Sequence, residues 1–164
     1  MAPQVSTGRI QQQVAAIASG FLGDWLEHRG NGLAVPMSVF AGDTELQVEK
    51  PEPEAPGRTL CLSIHGLMEL ESVWDFPSRP GYHYGSHLAE QLGDASALKL
   101  RFNTGRPIYR NGQELAALLE SLVSNWPVPV QRLILIGHSM GGLLIRSACH
   151  YGMVNNHAWI TRSP

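Results

Sequence analysis

The residues most able to do chemistry in this 164-residue chain are Gly137-His138-Ser139-Met140-Gly141, which follow the apolar run Leu133-Ile134-Leu135-Ile136. A serine flanked by glycines two positions away on each side suits an acyl-transfer nucleophile. It needs a sharp strand-to-helix turn, where side chains at the flanking positions would collide, and Gly142 is expected to extend that clearance into the helix. By composition alone such a five-residue pattern arises by chance in roughly one chain in ten to twenty of this length. The context makes it selective: "RLILIG" reads as a buried strand and the residues from Met140 onward as a helix. A serine at that junction stands where unpaired N–H groups and the helix dipole favour negative charge.

Acyl transfer also needs two hydrogen-bond donors for the oxyanion. The backbone N–H of Met140 is the expected first donor. The second is expected from the loop after an earlier strand, and "SIHGLMELESVW" is such a loop, with the N–H of Leu67 in the required place. Two motifs about seventy residues apart, each at the C-terminal end of a parallel strand, are much rarer together than either alone.

The elements that must position these residues alternate from Thr59 onward. "TLCLSIHG", "ALKLRFN" and "QRLILIG" read as strands, and "HYGSHLAEQLG", "NGQELAALLESLVSNWP" and Met140–Tyr151 as helices, the rhythm of a mainly parallel sheet with crossover helices. Asn111 and Glu114 form a predicted N-terminal capping pair. Leu115, Leu118, Leu119, Leu122 and Val123 share one face, and Pro127 and Gly152 are expected stops. Upstream, spacings of three and four from Ile10 to Leu26 predict an amphipathic helix over Arg9–His28. "LAVPMSVF" and "TELQVE", joined at Ala41-Gly42-Asp43, predict a strand hairpin, and 50–58 a proline-rich surface loop. Residues 1–164 therefore read as one α/β domain, with 1–58 supplying the N-terminal helix and hairpin and 59–152 the core that carries the serine.

Bulk properties exclude several classes. Hydrophobic residues make up 43% and charged residues 16% of the chain, so the composition is that of a globular domain. The net charge of −2 and the scattered Lys and Arg residues predict no nucleic-acid partner. Cys61 and Cys149 lack metal-ligand spacing and read as packed thiols, so neither a metal nor a cofactor is expected. The N-terminus shows no apolar core of a signal peptide and no run approaches transmembrane length. A soluble, cytoplasmic protein is expected.

"HGL" followed by a Trp, then "RFNTGRPIYRNGQELAALLESL", then "LILIGHSMGGLLIRSACHYG", resembles the α/β-hydrolase superfamily of bacterial lipase and esterase type, and is similar to the GPI inositol-deacylase-like lipases. The resemblance spans roughly Leu60–Gly152. It implies an α/β-hydrolase fold, a carboxylic ester or lipid substrate, Ser139 as nucleophile and Leu67 and Met140 as oxyanion donors. It further implies an Asp or Glu and then a His after later strands. No Asp or Glu follows Ser139. His150 lies about 16 Å down the helix at 1.5 Å per residue, and His157 lies beyond it. The expectation is therefore the N-terminal portion of a hydrolase, weakly active or inactive by itself, with the serine strand at a sheet edge open to self-association.

Other residues have plainer readings. His65 is expected to brace the oxyanion loop, with a catalytic role as the alternative, His138 to support packing at the turn, and Glu69, Glu71 and Asp75 to form a solvated face, a catalytic carboxylate among them being a departure from the family pattern. Arg106 and Tyr109 are candidates for a cleft wall or an ordinary surface loop, and Trp74 and Trp126 for packing. The competing functional classes are a non-catalytic interaction protein that uses the exposed sheet edge, and an acyltransferase or thioesterase built on the same elbow.

Overall fold

A computed structural model of the chain describes residues 35–76, 78–79 and 82–162. The expected helix over Arg9–His28 lies outside them. The elements are β1 (Ser38–Ala41), β2 (Thr44–Leu46), β3 (Thr59–Ile64), a 3₁₀ turn (Glu71–Trp74), α1 (Tyr84–Leu92), β4 (Ala95–Arg101), α2 (Ile108–Asn125), β5 (Arg132–Gly137), α3 (Met140–Val154) and a second 3₁₀ turn (Ala158–Arg162). The architecture is α/β, and the five strands form one mixed sheet in the order β2-β1-β4-β3-β5.

The strand order follows from local rules. Ala41 pairs with Thr44, which leaves Gly42-Asp43 as a two-residue hairpin loop, and Gly42 takes the positive φ (58°) such a loop requires. β1 runs antiparallel to β4, whereas β3 is parallel to both β4 and β5. β4 and β5 thus flank β3 on opposite sides. Two right-handed crossovers leading to opposite sides place their helices on opposite faces of the sheet. Accordingly Leu60, Leu62, Ile64, Leu98 and Leu100 pack against Leu115, Leu119 and Leu122 of α2 and Leu144 and Ala148 of α3. On the other face Gly85 of α1 lies against Ser63. The C-terminal end of β3 is therefore the point where the chain order reverses, the position at which open α/β sheets form a crevice.

Two boundary expectations are corrected. α2 begins at Ile108, after Pro107 at its N-cap, so Asn111 is not a cap. It is fully buried within the helix and its Nδ2 donates to the Asn103 carbonyl at 2.8 Å. The proline pre-sets φ for the helix start and moves that start upstream of the polar residue. Gly152 likewise does not stop α3, which runs to Val154. A Cβ at Gly152 would lie 2.7 Å from the Trp159 ring, so this glycine admits the indole of the second 3₁₀ turn. Cys61 is buried and Cys149 half-buried, and both are free thiols.

The α1 face of the sheet carries a charged layer. Lys99, 1% exposed, donates to Asp75 at 2.8 Å, and Arg101 holds Glu71 through two bonds of 2.6 and 2.7 Å. His83 lies beside this layer, buried, and its Nδ1 has no partner among the described residues. Burial pushes the imidazole down to about 4, and the Lys99 ammonium adds to the effect while Asp75 partly opposes it. In acid an unfolded chain would protonate this ring near 6.5 while the folded chain would not. Stability is then full above about pH 6.5 and falls progressively towards about pH 4. A pH series of thermal melts is expected to show that decline, and His83→Gln to flatten it. An unchanged slope in the variant would assign the acid sensitivity elsewhere.

Candidate active site

Ser139 is the N-cap of α3, with φ 51° and ψ −117°. An N-cap serine ordinarily has extended backbone and offers its oxygen to an N–H of the first helical turn. Here the backbone is left-handed and the side chain makes no capping bond. Ser139 is exposed, and among the described residues its hydroxyl has no hydrogen-bond partner. A non-glycine residue in such a conformation costs of order 1–3 kcal/mol and persists only where its surroundings impose it.

The surroundings do impose it. His138 N–H donates to the Ile64 carbonyl at 3.0 Å, which fixes the end of β5 on the end of β3. A Cβ on Gly137 would stand 2.6 Å from the Gly142 nitrogen, and one on Gly141 would strike the carbonyl oxygens of Ile64 and His65. Both glycines are thus required by backbone-to-backbone contact. Gly142, expected to extend that clearance, does not: a Cβ there meets nothing within 4 Å.

The loop after β3 reaches the same place. The Cβ position of Gly66 lies 3.3 Å from the Ser139 Cβ, so Gly66 and the adjoining Leu67 border the serine. Glu69 N–H donates to the Gly66 carbonyl at 3.4 Å, and Met68, at φ 59°, completes a tight turn. Met68 N–H is taken by Thr104 Oγ1 at 3.2 Å. Among the described residues the N–H groups of Leu67 and Met140 have no acceptor. Leu67 is half exposed, as is Leu143 on the first turn of α3.

His65 is wholly buried, stacked on Phe102 with ring centroids 4.5 Å apart. Its Nδ1 meets the Gly66 carbonyl at 2.9 Å and its Nε2 meets Phe102 N–H at 3.3 Å. The first contact requires a proton on Nδ1 and the second a lone pair on Nε2, so the ring is neutral and both nitrogens are committed. Burial lowers its pKa, with the Gly66 carbonyl, Glu71 and Glu69 opposing that shift. It braces the loop, as expected, and does not offer a base. His157 is committed to the Ala116 carbonyl of α2 at 3.0 Å. His150 lies exposed on α3 against the Tyr151 ring.

The acidic residues of the loop are not a solvated face. Glu71 and Asp75 are the partners of Arg101 and Lys99. Burial by itself would raise the Glu71 carboxyl, but the Arg101 guanidinium outweighs it and holds the group below its ordinary value. Glu69 accepts Gly66 N–H at 2.7 Å and meets His138 Nδ1 at 3.2 Å through the same oxygen. The sequence signal for this was the spacing of Gly66 and Glu69, three apart, which lets a carboxylate reach back to an N–H as it does in a helix cap. Arg106 is paired with Glu114 and Trp126 is buried with its Nε1 on the Gly57 carbonyl. Tyr109 is exposed in the first turn of α2, and Trp74 lies edge-on to Tyr84.

Among the described residues no helix is long and apolar enough to cross a membrane. Compared with known proteins, the chain matches no family model, no curated protein and no solved structure.

Proposed function

We propose that this chain carries the nucleophile and oxyanion donors of a serine hydrolase of α/β-hydrolase type, acting on carboxylic esters of lipase or esterase kind. The observation that carries the reading is Ser139 itself: a strained, uncapped, exposed serine at a strand–helix turn where two glycines are sterically required. Ser139 Oγ would attack the ester carbonyl carbon while the C=O electron pair moves onto oxygen, to be held by the N–H groups of Leu67 and Met140. Collapse of the tetrahedral species would expel the alcohol, which takes up the serine proton, and water would then release the acid. The exposed side chains of Leu67 and Leu143, close in sequence to Gly66 and Ser139, would suit an acyl chain. An acyl-enzyme of this kind equally serves acyl transfer to an alcohol or thioester cleavage, and the choice lies with residues lining the acceptor side.

The test is covalent capture. A fluorophosphonate probe at high concentration and long incubation is expected to add slowly and once, with loss of fluoride and of the serine proton to solvent, on the tryptic peptide Leu133–Arg146 at Ser139. Labelling elsewhere, or none at Ser139, would remove the basis of the reading. Among the described residues no imidazole contacts the Ser139 hydroxyl. Turnover of short-chain nitrophenyl esters by these residues alone is therefore expected to be slow.

A further inference from the structure

The loop that offers Leu67 N–H and the turn that offers Ser139 come from different strands, and one side chain joins them. Glu69 Oε2 accepts the Gly66 N–H at 2.7 Å on the loop and meets His138 Nδ1 at 3.2 Å on the turn. Glu69 is about a quarter exposed and His138 more than half exposed, so this contact is not forced by core packing. It is also local to the proposed site. Gly66 precedes the proposed donor Leu67 and His138 precedes Ser139, so the carboxylate fixes one residue on each side of the gap in which an oxyanion would lie.

We infer that Glu69 is a positioning residue that holds the oxyanion loop at a set distance from the nucleophile; this rests on the nucleophile reading of Ser139. The Gly66 N–H points into the carboxylate, and that orients the next peptide so that Leu67 N–H stays uncommitted. Met68, at φ 59°, adds backbone strain to the turn, which the Thr104 hydroxyl holds only from the far side. His138 anchors the other end. With its Nδ1 proton directed at Glu69, its Nε2 remains unengaged by any described residue. Of the other loop contacts, His65 Nδ1 donates to the Gly66 carbonyl and Thr104 Oγ1 accepts the Met68 N–H, while Glu71 with Arg101 and Asp75 with Lys99 clamp the chain further along on the α1 face; none of them joins the loop to the serine turn.

The experiment compares fluorophosphonate labelling rates of Ser139 in the wild type, Glu69→Ala and Glu69→Gln, with amide hydrogen exchange at Gly66 as a readout independent of reactivity. A loop displaced by about 1 Å is expected to slow labelling by as much as a hundredfold in Glu69→Ala. Glu69→Gln keeps an oxygen for Gly66 N–H and is expected to recover much of the rate, a rescue that general destabilisation would not give. Gly66 exchange should accelerate in the alanine variant and stay near wild type in the glutamine variant. Wild-type labelling rates in Glu69→Ala, or unchanged Gly66 exchange, would overturn the positioning role alone. Absence of label on wild-type Ser139 would overturn the nucleophile reading and this role with it. Should Glu69→Ala not fold, Glu69→Gln decides by whether it retains the rate.

Discussion

Replacing Ser139 with glycine is expected to raise the melting temperature while reducing probe labelling of the 133–146 peptide to background. The serine backbone sits at φ 51° and ψ −117°, where a Cβ is unfavourable and glycine is at ease. Its hydroxyl contributes nothing that would offset the strain, since it makes no capping bond. Relief should therefore appear as a gain of roughly 1–2 kcal/mol, or about 3–6 °C for a chain of this size. Ser139→Ala separates the two effects, because it removes the hydroxyl and keeps the Cβ. That variant should lose labelling with little change in melting temperature. A fall in stability for Ser139→Gly would mean that the hydroxyl supports the fold, and the case for a strained nucleophile would lapse.

The second large effect is at Gly141, and its neighbour supplies the control. Alanine at 141 would drive a Cβ into the carbonyl oxygens of Ile64 and His65, backbone atoms at the end of the central strand. Neither can yield as a flexible side chain would. A loss of about 3 kcal/mol is expected, at the upper end of what overpacking costs, and labelling of Ser139 should fall as the turn shifts. Alanine at 142 meets open space within a helix, so Gly142→Ala is expected to be neutral or to stabilise by about 0.5–1 kcal/mol. Chemical denaturation of the two variants checks both signs. Equal behaviour at the two positions would show that the contact between β3 and the Ser139 turn is looser than the distances imply.

These two experiments probe one physical arrangement: backbone packed on backbone where the chain order reverses at the end of β3. Such contacts leave a mark in sequence only as small residues. That is why the glycines at 137 and 141 were legible as requirements, whereas Gly142 and Gly152 were assigned the wrong duties. All four are the same letter, and what distinguishes them is the neighbour each one meets. The neighbour of Gly152 is Trp159, in a different element.

The sequence by itself determined the alternation of strands and helices from Thr59 to Tyr151, the hairpin about Ala41-Gly42-Asp43, the apolar face of α2 and the place of Ser139 at a strand–helix junction. These rest on hydrophobic periodicity and turn chemistry, which act over a few residues and are written locally. Tertiary structure alone decided how the charges are used. Glu69, Glu71 and Asp75 looked alike as members of a polar loop. In the fold the first joins the loop to the serine turn, and the other two meet Arg101 and Lys99 on β4. It likewise decided that His65 is a brace, because both ring nitrogens find backbone partners, one of them thirty-seven residues away at Phe102. Ion pairs and buried hydrogen bonds depend on what the sheet brings together across long separations, and no local pattern encodes the partner.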